Sequence, residues 1–177
     1  IIFNRKDVGK LKVIQAKKFI NNINKKIKVK IYKNKLTEKN IRKISNNYDI
    51  ICDCSDNFGT RYILNDYSLK SKKILISAAI SKFDAQIFNF NFKKNIPCYR
   101  CFMPEVPDLD NKCDAEGILP TVAGIAGTLQ ANEVVKSIID KKNELVGKMI
   151  VFNSINLNFR KIKLTKNYTC IKDCKQK

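Results

Sequence analysis

Apolar residues recur along this chain with two different periods, and the switches between them outline a succession of helices and strands. After Gly9, Val13, Ala16, Ile20 and Ile23 fall at helical spacing. Ile27, Val29 and Ile31 then alternate with lysines, the pattern of a half-buried strand. Glu38 to Ser45 reads as a short helix with Ile41 and Ile44 turned inward. Asp49-Ile-Ile-Cys-Asp53 predicts a short buried strand, Asn57 to Leu69 a helix, and Ile74 to Ala79 a second buried strand.

Strands alternating with helices predict an α/β fold with a mostly parallel sheet of the nucleotide-binding type. The pattern then changes. From Ala85 to Phe92, the apolar Ile87, Phe88, Phe90 and Phe92 are interleaved with polar residues, and no helix follows before the loop beyond. One long helix, Leu119 to Asp140, precedes two late strands, Met149 to Asn153 and Phe159 to Leu164. That ending predicts an antiparallel extension of the sheet. The one loop of unusual length runs from Pro97 to Gly117, and no internal repeat or flexible linker is visible.

Composition narrows the classes. A chain of 177 residues, 44% hydrophobic, suits one compact domain with a single core and is too apolar for disorder. Its net charge is +19. A nucleic-acid or membrane partner would account for that charge, but 30 of the 35 basic residues are lysines scattered from Lys6 to Lys177. Phosphate-binding surfaces lean on arginine for its planar fork, so compositional drift is the better reading. Histidine is absent, which excludes Ser-His-Asp triads, Cys-His pairs and any zinc site that needs imidazole. The longest apolar stretch, Ile118 to Leu129, is too short to span a membrane. A start on Ile-Ile-Phe-Asn without methionine suggests that an upstream part is missing.

The seven cysteines are unevenly placed. Cys98-Tyr-Arg-Cys101 has the spacing that lets two thiolates grip one metal ion. Cys170-Ile-Lys-Asp-Cys174 is a second pair with one more residue between. A redox dithiol is the competing reading, but such pairs sit at a helix N-terminus after a strand, and this one follows Pro97 in a loop. Two close pairs favour a structural zinc site. Cys52 and Cys54 flank a strand end and read as core. Cys113 stands alone in a polar loop, where a reactive thiol and an incidental one are equally good readings.

Asp53-Cys-Ser-Asp-Asn57 lies where a strand gives way to a helix, the place where open α/β sheets bind ligands. An isolated Asp-Asn there would only cap the helix. Two aspartates in one turn, with Arg61 one helical turn beyond Asn57, instead suit magnesium and a triphosphate. Lys12 opens its helix, a poor place for a cation unless an anion lies opposite.

Five segments occur in an order that resembles the MoeB/ThiF/HesA family, bacterial relatives of ubiquitin-activating enzymes. They are Asp7-Val-Gly-Lys-Leu-Lys12, Asp53-Cys-Ser-Asp-Asn57 with Arg61, Pro97-Cys-Tyr-Arg-Cys101, Cys113 followed by Glu116-Gly117, and Gly127-Thr-Leu-Gln-Ala131. The resemblance covers essentially the whole chain and implies a Rossmann-like sheet and a homodimer in the cytoplasm. It also implies ATP- and magnesium-dependent adenylation of the C-terminal glycine of a ubiquitin-like sulfur-carrier protein, in thiamin- or molybdopterin-type sulfur pathways. By that resemblance Lys12 is the cation on the phosphates, Asp56 the magnesium and nucleotide ligand, Asn57 its neighbour, and Arg61 a support of the same site. Cys98, Cys101, Cys170 and Cys174 hold structural zinc, and Cys113 matches the position that in some members links covalently to the carrier.

The family's Gly-rich phosphate loop, the acidic residue after its second strand and an arginine-bearing segment would all precede Ile1. The chain is thus expected to be the C-terminal two-thirds of one adenylating domain, residues 1–177, with little activity alone. Its sulfur donor is expected to be a separate protein. The second cysteine pair departs from the family's usual two intervening residues. A nicotinamide-dependent oxidoreductase would share the sheet but give no reason for four paired cysteines. A zinc-stapled nucleic-acid-binding module would bind unrelated DNA or RNA in a salt-dependent way. Enzymes that adenylate a transfer-RNA base are a nearer alternative, against which the cysteine pairs weigh by family analogy.

Overall fold

The computed structural model describes residues 2–105, 117–139, 143–167 and 170. Contacts divide the chain into two units, Ile1–Leu36 and Thr37–Lys177, and each is described by itself.

In the first unit, Asn4 and Asp7 close a reciprocal capping box around the 3-10 turn Arg5–Asp7. Asp7 also pairs with Lys10 at 2.9 Å. That hydrogen bond, with the Asn4 amide, holds the Asp7 carboxyl below its ordinary range. The chain reverses at Gly9, whose φ of 83° lies in the left-handed region that glycine enters without steric cost. Helix α1, Lys12–Ile23, follows at the predicted spacing, with no residue fully buried. The strand expected over 27–31 does not form: Val29 and Ile31 are half-buried as the alternation predicts, but the segment has no ladder partner among the described residues. Alternation selects a face. A strand also needs a neighbour for its backbone groups.

The second unit is built on a five-stranded sheet in the order β1-β2-β3-β4-β5. Its elements, in chain order, are α2 (Ile41–Ser45), β1 (Ile50–Asp53), α3 (Phe58–Lys70), β2 (Ile74–Ser81), β3 (Asp84–Asn91) and α4 (Tyr99–Phe102). Then come the long helix α5 (Pro120–Ile138), β4 (Lys148–Asn153) and β5 (Asn158–Lys163). Each but α4 lies within a few residues of its predicted place. Helix α4 forms inside the loop expected from Pro97 to Gly117, with Cys98 as its N-cap, so the Cys98–Cys101 pair sits at the start of a short helix and not in a loop. The expected mostly parallel sheet is corrected here: only β1 and β2, joined through α3, run parallel, and the other three pairings are antiparallel. The reason is the connections. Ser81 pairs with Asp84 across the two-residue turn Lys82-Phe83, and Asn153 pairs with Asn158 across 154–157, so both links are hairpins.

Both faces of the sheet are covered, which is why β3 is buried along most of its length instead of on alternate residues. Ala85 and Ile87 of β3 join Phe152 of β4 in packing against Val122 and Ala126 of α5. On the opposite face Phe88 and Phe90 stack at 5.4 Å, and Phe90 and Phe92 at 5.7 Å. Tyr99 of α4 meets Phe88 and Phe90 edge-on.

Phe90 is fully buried in the middle of this aromatic row. Phe90→Ala should therefore cost about 3–5 kcal/mol of unfolding free energy. Ile155→Ala, at a hairpin position 70% exposed, should stay within about 0.5 kcal/mol of the parent. Urea unfolding followed by circular dichroism measures both, and equal losses would contradict this assignment of the core.

Candidate functional site

The parallel pair β1 and β2 ends at an acidic turn that the fold divides into a buried half and an exposed half. Asp53, the last residue of β1, is 1% exposed. Its Oδ1 accepts hydrogen bonds from the Ser55 amide (2.9 Å) and the Ser55 hydroxyl (2.6 Å). Its Oδ2 accepts from the Ser77 hydroxyl of β2 at 2.7 Å. Arg61, buried on α3, places Nη1 at 3.9 Å from the same oxygen and donates through Nη2 to the Ser55 carbonyl at 2.7 Å. A buried carboxylate needs such partners to remain charged.

Three residues on, Asp56 and Asn57 are exposed. Asn57 is the N-cap of α3: its Oδ1 accepts from the Thr60 amide at 2.8 Å. Its Nδ2 donates to Asp56 Oδ1 at 3.1 Å. The turn thus caps the helix and also presents a carboxylate at the carboxyl end of a strand, where a cation or a phosphate-bearing ligand can reach it. Lys12 opens α1 and is exposed, with no carboxylate in that turn and no side chain capping the helix. It belongs to the first unit, Asp56, Asn57 and Arg61 to the second.

Gln130 of α5 fastens the turn from the opposite face. Its Nε2 donates to the carbonyls of Asp53 (2.9 Å) and Ile76 (2.8 Å), and its Oε1 lies 3.2 Å from the Cys54 thiol. Within the Gly127-Thr-Leu-Gln-Ala131 motif, Gln130 has a signal of its own. It shares the buried stripe Val122, Ala126, Gln130, Glu133, and a polar residue on such a stripe must find a buried partner. Glu133 does the same, accepting from Asn89 of β3 at 3.0 Å and pairing with Lys136. The core reading of Cys52 and Cys54 is corrected: both are exposed residues. Cys52 lies on β1, which has no neighbour on its outer side among the described residues, and Cys54 lies in the turn just after that strand. Desolvation, with the charge of Asp53 between them, nevertheless pushes both thiols up, away from the reactive thiolate.

A second centre forms around α4. The sulfurs of Cys98 and Cys101 are 4.0 Å apart, those of Cys98 and Cys170 3.7 Å, and all three lie within 4.8 Å of one another. Metal–thiolate bonds of about 2.3 Å in tetrahedral geometry put sulfurs about 3.8 Å apart, so these three can hold one ion. The expected fourth ligand, Cys174, and Cys113 lie outside the described residues. Helix α3 holds this knuckle: Asn65 Oδ1 accepts from the Tyr99 amide at 2.8 Å, and Asp66 takes a two-pronged pair from Arg100 at 2.8 and 3.0 Å. The Arg100 guanidinium also lies 4.2 Å over the Tyr62 ring.

Comparison with known proteins places this geometry. The chain is 40% identical over 167 residues to the "Probable molybdopterin-synthase adenylyltransferase" of Pyropia yezoensis, covering 93% of this chain and 44% of that protein. It is 35% identical over 159 residues to the "Adenylyltransferase and sulfurtransferase MOCS3" of Dictyostelium discoideum, covering 88% and 37%. With the "Sulfur carrier protein adenylyltransferase" of Thermus thermophilus it shares 31% over 176 residues, covering 96% and 65%. The chain thus spans less than two thirds of the length of each of these relatives. Among solved structures, that of E. coli MccB with ATP superposes with a TM-score of 0.79 at 20% identity, covering 97% of this chain and 53% of that one. This likeness shows a shared fold. The ThiF family model matches residues 1–172, and the chain belongs to the ThiF family.

Proposed function

We propose that this chain forms part of an enzyme that uses ATP to adenylate the C-terminal glycine of a ubiquitin-like sulfur-carrier protein, for sulfur transfer in thiamin- or molybdopterin-type cofactor synthesis. The observation that carries this reading is the split acidic turn: Asp53 is buried and fully partnered, while Asp56 stands exposed beside the Asn57 amide at the end of β1. The names of the relatives point to the same reaction, and a protein of the same fold was solved with ATP.

In this reading a carboxylate oxygen of the carrier attacks the α-phosphorus of ATP. The bond from that phosphorus to the bridging oxygen breaks, pyrophosphate leaves, and an acyl adenylate remains. The protein's task is to neutralise phosphate charge and align the two reactants. Asp56 would hold magnesium, which supplies positive charge to the phosphates, with Asn57 next to it at the nucleotide. Lys12 would supply a second cation, and its helix start, free of carboxylates, suits an anion. Arg61 is a positioning residue that acts through Asp53 and Ser55. Cys98, Cys101 and Cys170 are placed to hold one metal ion, and in this reading they would hold structural zinc, with Cys174 as the proposed fourth ligand.

Asp56→Ala should abolish magnesium-dependent ATP–pyrophosphate exchange by the intact enzyme. Lys12→Ala should slow it by at least about a hundredfold, the scale of one lost transition-state charge contact. Near-normal exchange in both would leave the turn as a helix cap and nothing more.

Adenylation itself needs no thiol, so Cys113→Ala should keep ATP–pyrophosphate exchange nearly intact and impair, at most, sulfur delivery to the carrier. Full retention of both would make Cys113 a bystander. Both assays run on one folded variant decide this, and loss of exchange would refute it.

Freshly purified protein should contain one zinc per chain, and a chelator should lower its melting temperature, because structural thiolate sites couple metal to folding. Cys98→Ser should lower both zinc content and stability. Substoichiometric zinc with no change on chelation would count against the site.

A further inference from the structure

A cleft of about 690 Å³ opens where β3 ends, α5 ends and β4 begins. It lies away from the acidic turn. Asn91 on its wall pairs with Ile74, the first residue of β2, whereas Asp53 pairs with Ser77 further along that strand. The adenylation reading assigns this cleft no role.

Three asparagines line the cleft, and each has its side-chain oxygen already engaged. Asn91 Oδ1 accepts from the Lys93 amide at 3.2 Å, Asn143 Oδ1 from the Leu145 amide at 3.0 Å, and Asn95 Oδ1 from the Lys166 ammonium. These bonds fix which end of each amide remains, and it is the Nδ2 donor. The described residues give none of the three donors an acceptor, and Asn143 Nδ2 is buried in that state. A buried donor without a partner costs free energy, which an acceptor entering the cleft would remove.

Charge points the same way. Lys94, Lys136 and Lys148 line the cleft, and the Lys166 ammonium stands at Asn95. Opposing them are Glu144, 3.6 Å from Lys148, and Glu133, paired with Lys136. The carbonyl end of α5 adds only about half a negative charge. The balance is positive. Lysines alone would single out no place in a chain that has 30 of them, but the oriented amides do. Amide donors set among ammonium groups fit an oxyanion, whose oxygens accept several hydrogen bonds each.

We propose that this cleft binds a small phosphate-bearing anion, held by the Asn91, Asn95 and Asn143 amides and by the Lys94, Lys136 and Lys148 ammonium groups. A cleft of this volume suits a small molecule, whereas a nucleic-acid backbone needs a continuous basic groove. The inference stands on these observations and not on the adenylation reading.

Inorganic phosphate titrated into the isotope-labelled full chain tests it by nuclear magnetic resonance, with sodium chloride holding the ionic strength constant. The side-chain amide signals of Asn91, Asn95 and Asn143 should shift together and saturate. The expected dissociation constant is about 1 mM, the affinity of a small ligand with few contacts. Asn91→Asp keeps the oxygen that accepts from the Lys93 amide but replaces the donor by a negative charge, and Lys94→Gln removes a cation. Each should raise the dissociation constant at least about tenfold, the scale of one charge-assisted hydrogen bond, with an unchanged circular dichroism spectrum. Lys161→Gln, exposed on β5 and outside the cleft, should leave it unchanged. Shifts that do not saturate, or that centre on Asp56 and Asn57, overturn the proposal. A Lys161→Gln variant that loses as much affinity as Lys94→Gln overturns it too, because the anion would then follow the overall charge and not the cleft.

Discussion

The Asp53 carboxylate is the constraint on which the rest of the second unit turns. It is a charge taken out of water, and it is tolerated because Ser55, Ser77 and Arg61 all reach it. Each partner belongs to a different part of the chain, so satisfying one side chain fixes the end of β1, the following turn, the neighbouring strand β2 and the first turns of α3. A buried charge left with fewer partners costs more than any one of those hydrogen bonds contributes. The turn therefore has little freedom, and the exposed pair Asp56 and Asn57 inherits its geometry from groups that never face solvent.

Helix α3 carries that rigidity further. Arg61 faces the acidic turn, while Tyr62, Asn65 and Asp66 face the cysteine knuckle. Asn57 and Asp66 are nine residues apart, about 14 Å along the axis at the rise of an α-helix. One short helix thus spaces the exposed carboxylate from the three gathered thiols. On the other face α5 plays the matching part: Gln130 spans the carbonyls of Asp53 and Ile76, and Glu133 binds Asn89. Polar groups placed in the interior of a sheet sandwich must be partnered, and here their partners hold the strand ends in register.

Much of this was legible in the linear pattern because its physics is local. Helical spacing located α1, α3 and α5, and near-continuous apolar runs located β1 and β2. The Asp-Asn turn, with Arg61 one helical turn on, marked the exposed site, and the Cys98–Cys101 spacing marked the knuckle. Those signals depend on residues within about two turns of one another. The direction of β3 relative to β2 was not legible. The usual hairpin cue is a glycine or asparagine in the turn, and this turn is made by Lys82, at φ 42°, and Phe83. The alternation at Ile27, Val29 and Ile31 was read as a strand on the same local grounds, but no partner strand accompanies it among the described residues.

By itself, then, the sequence determined where most helices and strands lie and which short motifs bear charge or sulfur. Periodicity and spacing are properties of neighbouring residues, and they survive without knowledge of the fold. Only the tertiary structure decided which of two aspartates in one turn is buried, that Gln130 is a brace, that Cys52 and Cys54 are exposed, and that Cys170 meets Cys98 across 72 positions. Each of those facts depends on what a distant segment brings to the same place. Burial and partnership are set by the whole packing, and no local pattern encodes them.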